Sequence, residues 1–103
     1  MKVIIADDEE LARVLIREFL QAVEGAEIAA ECANGFEAVK AIGELQPELV
    51  FLDVQMPKLS GFEVLDLIGR EIPVIFVTAY DEYAMKAFDA HAVDHLLKPF
   101  SQE

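Results

Sequence analysis

Among its 103 residues the chain has a single cysteine, Cys32, so no disulfide can close within it. A lone thiol suits a reducing compartment, and we expect a cytoplasmic protein. Cys32 ends the run Glu27-Ile28-Ala29-Ala30-Glu31-Cys32, in which nothing would lower its pKa. It reads as a small apolar residue near a strand end. Basic residues are also scarce. Against 20 Asp and Glu stand 8 Lys and Arg, a formal charge of −12. A surface of that sign repels nucleic-acid phosphates, which argues against direct DNA binding by this segment. No apolar run approaches the length of a membrane span. Met1-Lys2-Val3-Ile4-Ile5 enters a strand pattern at once, without the regions of a signal peptide. Repeats, linkers and low-complexity stretches are lacking too. What the chain does have is apolar content, 54%, too much for a disordered segment. We expect one domain over 1–103 with a buried core.

The apolar pattern alternates between two periods. Val3 to Ala6 is a short continuous run ending in Asp7-Asp8, the mark of a buried strand. From Glu9 to Val23, apolar residues at Leu11, Val14, Leu15, Phe19 and Val23 follow helical spacing, with Gly25 beyond the end. Glu27 to Cys32 is a weaker second strand. Asn34 is placed to cap a helix from about Gly35 to Leu45, with Phe36, Val39 and Ile42 on one face. Pro47 stops that helix from continuing. Leu49 to Leu52 is a third strand and again ends in an acid, Asp53. Ser60 is placed to cap a helix over Phe62 to Ile68. Pro73 opens a fourth strand, Val74 to Val77, ending at Thr78. A helix is expected from Asp81 to about Ala90, and a fifth strand at His95-Leu96-Leu97, ending at Lys98-Pro99.

Strands that alternate with helices predict an α/β fold with a parallel sheet. Right-handed crossovers bring the carboxyl ends of all the strands to one edge. Four of the five predicted strands end in a residue with chemistry: Asp7-Asp8, Asp53, Thr78 and Lys98. Ligands of doubly wound sheets bind at that edge, next to the point where strand order reverses. In the flavodoxin-like order 2-1-3-4-5 that point lies between the first and third strands, the two that end in acids.

Carboxylates gathered there repel one another unless a cation intervenes. Mg²⁺ is the natural choice, because it takes one or two carboxylates, keeps several waters and accepts phosphate oxygens. Asp7 and Asp8 leave an extended strand end in opposite directions. We therefore expect Asp8 to be the more direct ligand, with Asp7 supporting it and the backbone carbonyl of Gln55 completing the protein's share. Asp53 would be the nucleophile toward phosphorus. Transfer of this kind depends on positioning and on neutralising the equatorial oxygens. Mg²⁺, the Lys98 ammonium and the Thr78 hydroxyl supply one partner for each. Taken singly, these residues have ordinary readings: an Asp after a strand is usually a turn former, a strand-end Thr follows β propensity, and Lys-Pro is usually a surface loop. It is their joint placement on one edge that sets them apart.

This set resembles the response-regulator receiver family of two-component systems. The resemblance rests on Asp7-Asp8-Glu9, Leu52-Asp53-Val54-Gln55-Met56-Pro57, Ser60-Gly61, Val77-Thr78-Ala79 and Lys98-Pro99, and it runs across essentially the whole chain. It implies a five-stranded doubly wound sheet with Asp53 as phosphoacceptor and a sensor histidine kinase as donor. It implies Asp8 as the principal acidic Mg²⁺ ligand, with Asp7, Asp53 and the Gln55 carbonyl beside it, and Thr78 and Lys98 on the phosphoryl group. The Lys98–Pro99 bond is commonly cis in such proteins, and proline makes that form cheap. Ala79 to Phe88 and His95 to Phe100 look like receivers that precede a LytTR-type DNA-binding domain in transcription regulators. DNA would then be reached only through an output domain absent from this chain. Two departures stand out. His95 occupies a position that is usually Tyr or Phe and that rotates on activation; with Thr78 it would form the switch on the face of the fourth helix and fifth strand. Receivers also continue into a fifth helix, for which 101–103 leave no room.

Other readings fit less well. A pseudo-receiver acting only as an interaction module would not need Asp8, Asp53, Thr78 and Lys98 together. A haloacid-dehalogenase-type phosphatase needs an acid two residues after its nucleophile, where this chain has Gln55. A flavin-binding module needs a phosphate loop where Asp7-Asp8 would repel the phosphate. We expect a signalling domain, not an enzyme, beyond assisting its own phosphoryl transfer and dephosphorylation. The apolar side chains of the first helix, from Val14 through Leu11, Leu15, Phe19, Ile16 and Val23 to Leu20, cover an arc of roughly 240°, with Arg13, Arg17 and Gln21 on the rest. A helix lying on a sheet needs a stripe only somewhat wider than about 100°. The surplus predicts a dimer or larger assembly that covers it, or a poorly stable monomer.

Overall fold

A computed structural model of the chain describes residues 1–69, 72–78 and 94–97. The described elements are β1 (Lys2–Ala6), α1 (Glu10–Gln21), β2 (Glu27–Cys32), α2 (Gly35–Leu45), β3 (Leu49–Asp53), α3 (Gly61–Ile68), β4 (Val74–Thr78) and β5 (Asp94–Leu97). The helix expected over 81–90 lies outside the described residues, as do Lys98 and Pro99. The five strands form one sheet in the order β2-β1-β3-β4-β5, and all neighbours are parallel. This is the doubly wound architecture that the alternating pattern predicts.

Strand parity divides the core between the two faces of the sheet. Val3 and Ile5 of β1, Phe51 of β3 and Val77 of β4 pack with Ile16 and Leu20 of α1. Ile4 and Ala6, Val50 and Leu52, Val74 and Phe76 face the other way, onto Ala38 and Ile42 of α2 and Val64 and Leu65 of α3. Because both faces are covered, the central strands read as continuous apolar runs rather than alternating ones. Each large aliphatic side chain fully buried in these layers contributes about 1.5–3 kcal/mol. Phe62 of α3 and Phe76 of β4 stack tilted, with ring centroids 5.0 Å apart, and tie α3 to the sheet.

Local chemistry sets the helix starts. The Asn34 side chain accepts from the Glu37 N–H at 2.9 Å, and Glu37 Oε1 accepts from the Ala33 N–H at 2.8 Å. Ser60 and Glu63 form a full capping box, at 3.2 and 3.0 Å. At its C-terminus α2 ends at Gln46, which takes the left-handed conformation (φ 50°), and buried Pro47 follows.

The inward faces of the first two helices match the expected apolar residues only in part, with Ile16, Leu20 and Ile42 buried. In α1 the buried residues are Ala12, Ile16 and Leu20, while Leu11 is 70% exposed and Phe19 41%. In α2 they are Gly35, Ala38 and Ile42, and Phe36 lies outside. Ala12 and Ala38 are buried, Gly35 is buried against Leu59 of the loop after β3, and Leu11, Phe19 and Phe36 lie on the exposed side. Hydrophobicity alone points to the larger residues.

Candidate functional site

β1 and β3 are neighbours that run to the same edge, with Ala6 opposite Leu52. Asp7 and Asp53 therefore emerge side by side. Asp7 is fully buried and Asp53 is 5% exposed, whereas Asp8 is exposed. Carboxylate oxygens of all three lie within 4.8 Å of one another. The expectation that Asp7 and Asp8 would diverge is thus corrected. β1 stops at Ala6, and the backbone turns before the strand alternation can separate the two acids. That turn is closed locally. Asp7 Oδ1 accepts from the Glu9 N–H at 2.8 Å, and the Asp7 N–H donates to the Cys32 carbonyl at 2.9 Å.

The segment after Asp53 is held just as firmly. Asp53 Oδ1 accepts from the Gln55 N–H at 3.3 Å. The Gly61 N–H donates to the Val54 carbonyl at 2.8 Å, and a Cβ at position 61 would collide with the Asp53 carbonyl. Only glycine permits that approach. Lys58 is the centre of a tight three-residue turn, with φ 74° and Leu59 N–H donating to the Pro57 carbonyl at 2.9 Å. The Gly35 N–H donates to the same carbonyl at 3.3 Å, and a Cβ at Gly35 would strike Leu59. Lys58 Nζ lies 5.6 Å from the centre of the Phe36 ring. The loop carrying Gln55 is thereby clamped to the start of α2.

Among the remaining expected residues, Thr78 closes β4 at the same edge. Its neighbour Val77 pairs with Asp53, and Thr78 itself pairs with Leu97. His95 lies in β5 opposite Phe76. Lys98 and Pro99 follow β5 outside the described residues. Sequence reasoning missed why Gly35 and Gly61 must be glycine, since the steric demand comes from segments distant in the chain. It also left Arg13 on a polar helix face, although its guanidinium Nη1 donates to the Asp7 carbonyl at 2.7 Å.

Chemically, three carboxylates at this separation suit a small hard cation. Two of the three, Asp7 and Asp53, are buried, and the third, Asp8, is exposed to water. Cys32 takes no part in this chemistry. Its thiol is pushed up from 9.0 to about 11, mainly by burial, with the Glu37 charge adding to the shift and Arg13 opposing it.

A five-stranded parallel sheet with a cluster of acids where the strand order reverses defines a receiver-type signalling module. The chain belongs to the response regulator receiver domain family, whose model matches residues 3–103. It is 51% identical over 105 residues to an uncharacterized response regulatory protein of Yersinia pestis, covering 100% of this chain and 44% of that one. It is 48% identical over 105 residues to the transcriptional regulatory protein BtsR of Salmonella typhi, again covering 100% and 44%. The chain thus spans less than half the length of these curated relatives. Among solved structures it is similar to a chain of the CheX–CheY–BeF3–Mg²⁺ complex of Borrelia burgdorferi. That match has a TM-score of 0.88 and 25% identity, covering 98% of this chain and 80% of the other. Receiver domains are signalling domains, generally not enzymes. No helix among the described residues is long and apolar enough to cross a membrane.

Proposed function

We propose that the chain is the phosphoacceptor of a two-component response regulator, with Asp53 receiving a phosphoryl group from a sensor histidine kinase. The observation that carries this reading is the meeting of the Asp7, Asp8 and Asp53 carboxylates within 4.8 Å at the carboxyl edge of the sheet. Asp7, Asp8 and Asp53, with the Gln55 backbone carbonyl, would hold Mg²⁺. When bound, the metal supplies positive charge to a phosphoryl oxygen and relieves repulsion among the acids. An Asp53 carboxylate oxygen forms the new bond to phosphorus. The bond from phosphorus to the donor breaks, and the donor leaves with the bonding pair. The Gln55 N–H keeps the other Asp53 oxygen oriented. Asp7, locked in its turn, holds the acidic loop in place during attack. Thr78, at the end of β4, and Lys98 would serve the remaining phosphoryl oxygens. Phosphoryl capture by Thr78 would draw its strand end inward and leave space for the His95 imidazole to fill, a two-state switch on the face of the fourth helix and fifth strand. The Borrelia relative's complex with BeF3 and Mg²⁺ supports the same chemistry here. The BtsR likeness supports an output through transcription; the resemblance of His95 to Phe100 to receivers that precede LytTR-type domains would assign DNA binding to such a domain.

The test is incubation with acetyl phosphate and Mg²⁺. One phosphoryl group should be added, labile to hydroxylamine, and Asp53→Asn should abolish the labelling. Millimolar Mg²⁺ should also raise the melting temperature, since a ligand that binds only the folded state stabilises it by RT ln(1 + [L]/Kd). Asp8→Asn should blunt that rise. Labelling retained in Asp53→Asn would show that the acceptor is a different residue. A wild-type melting temperature indifferent to Mg²⁺ would remove the metal site.

A further inference from the structure

We propose that Arg13 is a positioning residue for the acidic loop, with Glu31 as its counter-ion, and that this strut sets the affinity of the acidic site for its cation. The identity of that cation as Mg²⁺ rests on the function proposed above.

The Asp7 residue is held from three sides. Its N–H donates to Cys32 at the end of β2, and its carboxylate accepts from the Glu9 N–H. Its carbonyl accepts from Arg13 Nη1 at 2.7 Å. The third bond is the only one of these that acts on the peptide joining Asp7 to Asp8. That peptide is planar, so fixing its carbonyl also fixes the direction of the Asp8 N–H and constrains where the Asp8 Cα lies. Asp8 is exposed, and packing does not hold its side chain. Its place in the triad depends on the backbone beneath it, and Arg13 holds that backbone.

Arg13 in turn has a fixed base. Its backbone N–H donates to the Glu9 carbonyl in the first turn of α1, at 3.2 Å. Its side chain is only 19% exposed, and Nε lies 3.7 Å from Glu31 Oε1. Glu31 sits on β2 opposite Ile5 of β1, and it also binds Arg17 in a fork at 2.8 and 3.0 Å. The strut therefore runs from the edge strand through α1 to the acidic loop.

The charge of Arg13 could act in the opposite sense. A bare guanidinium beside the loop would repel a dication. Glu31, 3.7 Å from Arg13 and shared with Arg17, offsets part of that charge. Against the rest of the repulsion stands the hydrogen bond to the Asp7 carbonyl, whose orienting effect resembles the role of groups that orient metal ligands from behind.

The test measures Mg²⁺ affinity by calorimetry, with amide NMR shifts of Asp8 and Glu9 as a second readout. Arg13→Met keeps an unbranched stem that can cover the same apolar surface and removes the donors. It should weaken Mg²⁺ binding about tenfold, the lower end of the range for outer-shell changes. It should also speed hydrogen exchange at Asp8. Arg13→Lys should recover part of the loss, because an ammonium can still donate to the carbonyl. Glu31→Gln, at a partly exposed position where folding is not at risk, should weaken binding by leaving the Arg13 charge uncompensated, and added salt should reduce that loss. Arg17→Gln, which shares Glu31 but does not touch Asp7, is the control and should leave affinity within about twofold. Unchanged affinity in Arg13→Met would overturn the strut, and tighter binding would show that Arg13 acts by repulsion. If the wild-type chain failed to bind Mg²⁺, the proposed metal site would fall first and the strut with it.

Discussion

Cys32 illustrates how position governs a residue's reactivity. Its carbonyl accepts from the Asp7 N–H beside the acidic cluster, yet its side chain is turned into the α2 and α3 core and is only 4% exposed. Burial favours the neutral thiol, and the nearby Glu37 carboxylate adds to the effect. With a folded pKa of about 11 against 9.0, the folded state binds more protons than the unfolded state in that window. The contribution to stability is therefore complete below about pH 9 and is lost as pH rises through about 11. Urea titrations at pH 8 and 10.5 should show wild type losing more stability than Cys32→Ala over that interval, with similar slopes overturning the assignment. Thiol reagents at pH 8 should label the native protein only as fast as it unfolds. Arg17, by contrast, is pushed up by its hydrogen bond to Glu31 and by that group's charge, and it stays protonated throughout.

At the scale of elements, the segment from Asp53 to Gly61 decides the geometry of the site. Its path is forced by close contact between backbones, at Gly61 against the Asp53 carbonyl and at Gly35 against Leu59. A methyl group at Gly61 forces backbone to move at the strand end that carries Asp53, because the nearest atom it meets is the Asp53 carbonyl oxygen, with the Phe76 ring behind it. Gly61→Ala should cost about 1–3 kcal/mol in urea denaturation, as overpacking does. It should also slow labelling by acetyl phosphate, even at temperatures where the variant is fully folded. Wild-type stability and labelling would show that the contact relaxes freely. Much at this scale was legible in the residues. The Asn34 and Ser60 caps, the Pro47 stop and the strand ends lie where local chemistry places them, because each depends on neighbours within a few positions. The inward faces of α1 and α2 were legible in part: Ile16, Leu20 and Ile42 are buried as the apolar spacing suggests, whereas Leu11 and Phe36 are exposed and the small Ala12 and Ala38 lie inward.

For the whole molecule, charge and apolar exposure pull against each other. Leu11 and Phe19 of α1 and Val23 just beyond its end leave apolar surface, with exposures of 70%, 41% and 36%. A net charge of −12 opposes bringing two copies together. Salt at about 0.1 M shortens the screening distance to about 10 Å and weakens the repulsion without removing the apolar drive. Sedimentation equilibrium should therefore show self-association that strengthens with salt, and Phe19→Glu should shift the chain to monomer. A chain monomeric at high concentration and high salt would mean that this surface is not used for association.

The residues by themselves determined the alternation of strands and helices, the helix caps, and the appearance of Asp7, Asp8, Asp53 and Thr78 at strand ends. Each of these follows from periodicity or from contacts between near neighbours in the chain. Only the tertiary structure decided that Asp7 and Asp8 turn toward Asp53 together, that Gly61 must lie against the Asp53 carbonyl, and that Arg13 reaches back to the Asp7 backbone. Those outcomes depend on where β1, β2 and β3 lie side by side. The spacing of residues along one strand carries no record of the distance to the next.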